Sequence, residues 1–205
     1  MTVYQYDFDQ PDGSIPAPWQ DFDYGNLIYT NITNQALHVR SNGDFWSTAD
    51  TAGGVAHPVA PGPVDFSVDV SYPNGITRFG RSILLRESLD ANSALFMILR
   101  NNFSATFTYA YRGTAGAVAE WTGGSPNQPG TRHQIIFDES NTFTALVDGT
   151  VIGDTTFSNP FEPAFACLVA TRSAGSGLNA FDNVTIIDSA STSRRRHNNN
   201  KMVVT

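Results

Sequence analysis

Residues 133–154 (HQIIFDESNTFTALVDGTVIGD) constrain the fold more than any other stretch, because they combine alternating side chains with a hairpin turn. In the first extended segment His133, Ile135 and Phe137 point to one side, while Gln134, Ile136 and Asp138 point to the other. Asp148-Gly149 ends a second such segment and supplies the two residues tolerant of positive φ that a type I′ turn needs. The stretch therefore predicts three antiparallel strands. A meander of this size is stable only within a larger sheet that covers a core.

The same alternation recurs along the chain, most clearly over residues 64–72, where five apolar residues alternate with Asp and Ser. About a dozen such segments follow one another at spacings of roughly 8–12 residues. No segment of helix length shows a 3.6-residue period. The sequence therefore predicts an all-β protein, a two-sheet antiparallel jelly-roll sandwich with a short extended C-terminal tail. We expect one domain over residues 1–188 and an arm over residues 189–205.

The distribution of charge argues against a main domain that binds nucleic acid. Residues 1–188 contain all 19 acidic residues but only 8 of the 12 basic ones, whereas a phosphate-binding surface needs clustered Lys and Arg. The single cysteine, Cys167, lies in an apolar segment and is predicted to be a buried thiol. The sequence shows no apolar run long enough to span a membrane and no signal peptide. We therefore expect a chain made in the cytoplasm, without a membrane partner.

Three segments resemble LamG-type, concanavalin A-like lectin/glucanase domains of the kind found in bacteriophage tail and virion proteins. Residues 143–154 (FTALVDGTVIGD) resemble the late hairpin of such domains, and residues 181–188 (FDNVTIID) resemble their last strand. Residues 6–19 (YDFDQPDGSIPAPW) resemble their N-terminal segment. The resemblance covers roughly residues 3–188 and implies that the first and last strands are neighbours. This fold hosts lectins, glycosidases, adhesive modules and capsid parts, so it does not by itself specify an activity.

A search for catalytic groups gives no assignment. A retaining glycosidase needs two carboxyl groups about 5–5.5 Å apart, and the resemblance implies a Glu-x-Asp-x-x-Glu strand that this sequence lacks. Asp65 and Asp69 share one face of a predicted strand, but this is also the pattern of a solvated outer face. The four histidines show no metal-binding spacing, and G-x-S-x-G does not occur. We therefore predict that the protein is not an enzyme and that it has no catalytic residue.

Glycan binding requires an aromatic ring with polar groups beside it. The candidates are Trp46, Trp121 and Tyr109, with Arg112 as a hydrogen-bond donor. Each of these aromatic side chains could instead belong to the core. The sequence leaves both interpretations open.

Carboxylates crowd the N-terminal segment. Asp7 and Asp9 are candidate ligands of a structural Ca²⁺, because calcium prefers oxygen ligands. Asp182 would join them if the first and last strands are neighbours. The alternative is that these residues cap turns and keep an edge strand soluble. Calcium is the one cofactor that the sequence suggests.

Residues 189–205 change abruptly to a polar, then basic, then apolar composition. The segment is either a solvated extension or an arm that docks to a partner. The candidate docking residues are Arg194, Arg195, Arg196, Lys201, Val203 and Val204.

Our first hypothesis is a non-enzymatic virion structural protein of a bacteriophage, located on the tail or the capsid surface. Its C-terminal arm would bind other virion proteins in a homo- or hetero-oligomer. The alternative is a carbohydrate-binding or adhesion module for a host-surface glycan. A glycan hydrolase or lyase is the least favoured of the three.

Overall fold

The computed structural model describes residues 1–23, 27–41, 53–73, 79–90, 95–101, 106–112, 117–123, 131–156, 160–170 and 177–189. Over these ranges the chain consists of β-strands, turns and loops. The strands are β1 (Thr2–Tyr6), β2 (Gln20–Phe22), β3 (Leu27–Thr33), β4 (Ala36–Ser41), β5 (Gly54–Pro58), β6 (Val64–Ser71), β7 (Phe79–Arg86), β8 (Leu95–Asn101), β9 (Thr106–Arg112), β10 (Ala117–Gly123), β11 (Thr131–Phe137), β12 (Thr142–Val147), β13 (Thr150–Thr156), β14 (Phe165–Val169) and β15 (Gly177–Asp188). Those ranges include no helix of the length and hydrophobicity needed to span a membrane.

The strands form two antiparallel sheets. Sheet A has the order β13-β12-β11-β6-β15-β4-β3, and β1 pairs with β15 outside this path. Sheet B has the order β10-β9-β8-β7-β14-β5-β2. Neighbours in both sheets include strands far apart in the sequence, as the long crossovers of a jelly roll require. The predicted all-β, two-sheet jelly-roll sandwich is confirmed.

The core lies between the two sheets. Because successive side chains of a strand point to opposite faces, alternate residues of each strand enter it. Phe66 and Val68 of β6 in sheet A, and Ile83, Leu85 and Leu168 in sheet B, are fully buried members of this core. Each such side chain contributes about 1.5–3 kcal/mol when it is removed from water.

The outer face of sheet B is also covered near its centre. Leu84 and Cys167 lie directly opposite each other on β7 and β14, at positions that alternate with the core residues, and both are fully buried. The predicted buried thiol is thus confirmed. Arg86 is buried on this same face, where its guanidinium donates to the carbonyl oxygens of Ser88 and Asp90 at 3.0 and 2.6 Å.

Strand β15 is the longest strand and carries two partners along one edge. Its N-terminal part pairs with β4, and residues 184–188 pair with β1. The other edge pairs with β6. The first and last strands are therefore neighbours, as the resemblance implied.

A β-bulge interrupts β15 between the segments that face β4 and β1. The register against β6 shifts between Asp182 and Thr185, and Asn183 adopts a φ of 48°. Asparagine tolerates this left-handed conformation better than most residues. The bulge therefore has a local cause in the sequence Asp-Asn.

Two strands of sheet B follow no clear alternation. β2 was not predicted, because a three-residue strand is too short to show a pattern. β5 (GVAHP) lies in a Gly-, Pro- and Ala-rich stretch whose sequence shows no alternation. Gly54 of β5 packs closely on β14, because a Cβ atom at this position would lie 2.2 Å from the Leu168 carbonyl oxygen.

Candidate functional site

The bulge in β15 borders a groove on the outer face of sheet A. The groove has a volume of about 300 Å³, at the lower end of the range for small-ligand sites. Its lining consists of Gln5, Tyr6, Asp7, Arg132, Asn183, Val184 and Thr185. All of these except Val184 carry a polar group. Bulges are common beside functional sites because they redirect side chains.

Three strands build this groove from residues that are distant in the sequence. Gln5 lies opposite Thr185, and Tyr6 opposite Val184, because β1 pairs with β15. Arg132 belongs to β11 and extends across β6 to reach β15. One wall therefore depends on the N-terminal strand remaining paired.

The Arg132 side chain is fixed by three hydrogen bonds. Its Nη1 donates to Asp69 Oδ1 at 3.0 Å and to the Asn183 carbonyl oxygen at 3.0 Å. Its Nη2 donates to Ser67 Oγ at 2.8 Å. The Asn183 side chain completes the network by donating from Nδ2 to Asp69 Oδ2 at 2.9 Å. These contacts orient polar groups on the groove before any ligand arrives, which lowers the entropic cost of binding.

The surroundings of the groove are acidic. Asp182 lies opposite Asp69 on the adjacent strand. Partial burial raises the pKa of the Asp182 carboxyl group, and the negative charges of Asp9, Asp69 and Asp7 raise it further, against a hydrogen bond from the Asn183 N–H that lowers it. Three neighbouring carboxylates therefore act on Asp182 at the bulge.

A partly buried hydrogen bond between Tyr6 and His57 holds β1 in place beside the groove. His57 Nδ1 lies 2.7 Å from the Pro58 carbonyl oxygen, which can only accept, so Nδ1 carries the proton. His57 Nε2 then accepts from the Tyr6 hydroxyl group at 2.9 Å. The indole ring of Trp19 packs against both rings, with centroids 5.4 Å from Tyr6 and 5.1 Å from His57. Burial lowers the pKa of His57 and raises that of Tyr6.

Three of the predicted glycan-binding residues lie on the neighbouring strands β9 and β10. Tyr109 is the register partner of Glu120, Trp121 that of Thr108, and Arg112 that of Ala117. Trp46 lies outside the described residues. A glycan-binding role for any of these four stays a prediction.

The structure brings the proposed calcium ligands into one neighbourhood without forming a ligand shell. Asp7 and Asp9 follow β1, and both interact electrostatically with Asp182 on β15. In the described part of the chain, no three His, Cys, Asp or Glu residues are arranged to hold a metal ion. Asp69 already accepts hydrogen bonds on both oxygens. The calcium site stays a prediction.

The proposed docking arm also stays a prediction, since residues 190–205 lie outside the described residues. So does the division into a domain and an arm.

Sequence patterns alone do not identify Arg132 or Asn183 as residues of a groove. Arg132 directly precedes the extended segment predicted at residues 133–137 and belongs to no motif, and its partners Asp69 and Ser67 are 63 and 65 residues away in the chain. Asn183 carries a weak signal, because Asp-Asn in the middle of an apolar strand is typical of a bulge.

No protein-family model matches the chain, and no curated protein matches it in sequence. Solved structures do match. A prokaryotic β-1,3-1,4-glucanase (lichenase) from a mouse hindgut metagenome is similar with a TM-score of 0.63 at 12% identity, over 92% of this chain and 99% of that chain. The β-glucanase of Bacillus licheniformis gives 0.62 at 12% identity, over 91% and 98%. The carbohydrate-binding module CBM66 of Bacillus subtilis gives 0.55 at 18% identity, over 83% and 95%.

These likenesses correct one prediction. The prediction that the protein is not an enzyme is wrong, because the fold is that of glucanases and a missing strand motif does not exclude catalysis at 12% identity. A bacteriophage virion role finds no support among these structures. The likenesses show an antiparallel jelly-roll fold that two glucanases and a carbohydrate-binding module share.

Proposed function

We propose that this protein binds a polysaccharide and that the groove on sheet A forms part of the binding surface. The observation that carries the proposal is the preorganised polar lining of a ligand-sized groove. Arg132 and Asn183 are held by hydrogen bonds to Asp69 before a ligand arrives. The fold supports the same conclusion, since proteins with this fold include two glucanases and a carbohydrate-binding module.

The polar groups of the groove match the chemistry of a sugar ring. A pyranose presents neighbouring hydroxyl groups that both donate and accept hydrogen bonds. Asn183 uses its Nδ2 to bind Asp69, so its Oδ1 is oriented as an acceptor. Gln5 and Thr185 lie opposite each other and add donors and acceptors at a spacing of about 5 Å.

A second candidate function, glycoside hydrolysis, is favoured by the Asp69–Asp182 pair. Residues directly opposite each other in a sheet have Cβ atoms about 4.5–5.5 Å apart, which is compatible with the carboxyl separation of retaining glycosidases. Asp65 and Asp69 are no such pair, because four residues of strand separate their Cα atoms by about 13 Å. Asp65 instead accepts a hydrogen bond from Gln134 Nε2 at 2.7 Å.

Isothermal titration calorimetry with a panel of neutral, acidic and amino-sugar oligosaccharides tests the proposed binding. The informative variant is Asn183→Gly, because glycine accepts the φ of 48° while the amide group is lost. The matched control is Asn34→Gly, which removes the same side chain at a φ of 52° in the β3–β4 turn. We expect Asn183→Gly to weaken binding by about tenfold, the equivalent of one good hydrogen bond, and Asn34→Gly to have no effect. Equal affinities of the two variants would remove the groove from the binding surface.

Reducing-end release from the same oligosaccharides tests hydrolysis. We expect any activity to be lost in both Asp69→Asn and Asp182→Asn. Turnover that persists in both variants would exclude this pair as the catalytic carboxylates.

A further inference from the structure

We infer that the groove selects glycans that carry ammonium groups, such as polymers of a de-N-acetylated amino sugar, over glycans that carry carboxylates or sulfates. This inference rests on the proposed function and names the class of its ligand. It is carried by the arrangement of charges around the cavity.

Carboxylates surround the groove on two sides. Asp7 lines the groove directly. The Asp9 backbone N–H donates to Asp7 Oδ1 at 3.3 Å, so the chain turns at this point and the Asp9 carboxylate lies near that of Asp7. Asp69 and Asp182 face each other across β6 and β15 beside the bulge. The two groups of acids therefore lie on either side of the Asn183 backbone.

The positive charge of the lining does not balance these acids. Among the described residues that line the groove, Arg132 is the cation. Its guanidinium is paired with Asp69 at 3.0 Å, which leaves Asp7, Asp9 and Asp182 in excess. Both partners of this ion pair are more than one-third exposed, so solvent and salt weaken its field but do not change its sign.

The acids that Arg132 does not balance make the electrostatic potential beside the groove negative. Such a potential disfavours a uronate or a sulfate in the groove. It favours an ammonium group at the same place.

The full-length protein is titrated with four tetrasaccharides by calorimetry. They are the glucosamine tetramer, its fully N-acetylated form, cellotetraose and tetragalacturonate. The titrations are made at about pH 6, below the pKa of ordinary amines and above that of aspartate. Each is repeated at low and at high NaCl concentration, because charge-based selection weakens as salt screens it.

We expect the glucosamine tetramer to bind about five- to tenfold more tightly than cellotetraose at low salt, and tetragalacturonate to bind more weakly than either. High salt should remove this preference while leaving the affinity for cellotetraose unchanged. Asp7→Asn and Asp182→Asn should each reduce the preference about two- to threefold. Asp154→Asn is the control, since it makes the same change in net charge on an exposed residue of β13, at the far edge of sheet A.

The outcomes separate this inference from the proposed function. If cellotetraose binds and the amino-sugar form binds no better, or if Asp154→Asn reduces the preference as much as Asp7→Asn does, the selection of ammonium groups is overturned and glycan binding stands. If no oligosaccharide binds under any condition, both proposals fail.

Discussion

Asp69 on β6 and Asp182 on β15 lie directly opposite each other on the outer face of sheet A. Like charges opposite each other in a sheet are destabilising. Two neighbours compensate for the repulsion, because Arg132 and Asn183 each donate to Asp69. Asp182 receives a hydrogen bond from the backbone N–H of Asn183 at 2.7 Å. The pair is therefore held in place at a cost in stability.

That cost predicts a pH-dependent effect of Asp182→Asn in the presence of EDTA. Because the folded-state pKa of Asp182 is raised, the protonated form stabilises the fold, and this contribution is lost as the pH rises through the folded pKa. The variant should therefore be more stable than the wild type at pH 7, by a few tenths of a kcal/mol for such a partly exposed group. The difference should disappear at about pH 3, below the unfolded-state pKa.

Thermal unfolding monitored by circular dichroism measures this difference. Asp154→Asn is the control, since Asp154 is exposed on β13, at the edge of sheet A away from the bulge. A variant that is less stable than the wild type at pH 7 without metal would contradict the prediction.

Calcium provides a separate prediction on the same residue. If Ca²⁺ binds Asp7, Asp9 and Asp182, millimolar CaCl₂ should raise the melting temperature of the wild type by mass action. Asp182→Asn should lose this increase, because the ion loses a carboxylate ligand. The calcium site is refuted if the melting temperature is the same with CaCl₂ as with EDTA.

Tyr6→Phe should detach β1 in part. The change removes the hydroxyl group that donates to His57 Nε2 and leaves a buried acceptor without this partner, at a cost of about 1–3 kcal/mol. Tyr4→Phe is the matched control, because the Tyr4 ring contact with His57, at a centroid distance of 4.6 Å, is kept. Urea unfolding gives the free energies, and hydrogen exchange of residues 2–6 reports on the strand. Equal losses in the two variants would mean that the hydroxyl group does not anchor β1.

Gly54→Ala should destabilise the fold through a backbone clash. Its Cβ atom would meet the Leu168 carbonyl oxygen at 2.2 Å, so β5 and β14 would have to separate, which costs about 1–3 kcal/mol. Gly149→Asn is the control, because its added Cβ has nothing within 4 Å and asparagine tolerates the φ of 76°. Chemical denaturation of both variants checks the difference, and a Gly54→Ala protein as stable as the wild type would contradict the packing.

The sequence predicts those strands of the fold that have one buried face and one solvent-exposed face. In β6 the four apolar residues are buried, although Ser67 between them is buried as well, and β12 buries every second residue. The turn between β12 and β13 also follows its local signal, since Asp148 and Gly149 both adopt positive φ. Such features depend on neighbours in the chain, so they can be read without knowledge of the fold.

The groove could not be predicted in this way. Asn183 and Asp69 are separated by 114 residues in the chain, and their contact depends on which strands pair and in which register. A bulge of one residue changes that register. The resemblance indicated that the first and last strands are neighbours, but it did not indicate that Arg132 crosses β6 to join them.

The pairing of β1 with β15 also has a consequence for modularity. Thr2 is the register partner of Asp188, so the two ends of the sandwich lie about 5 Å apart. A linker of a few residues would connect them. A circularly permuted chain with new termini at the Asp148-Gly149 turn would keep every strand pair and would lose only the covalent connection between β12 and β13. By the same geometry, this sandwich can be inserted into a surface loop of another protein with little distortion of its host.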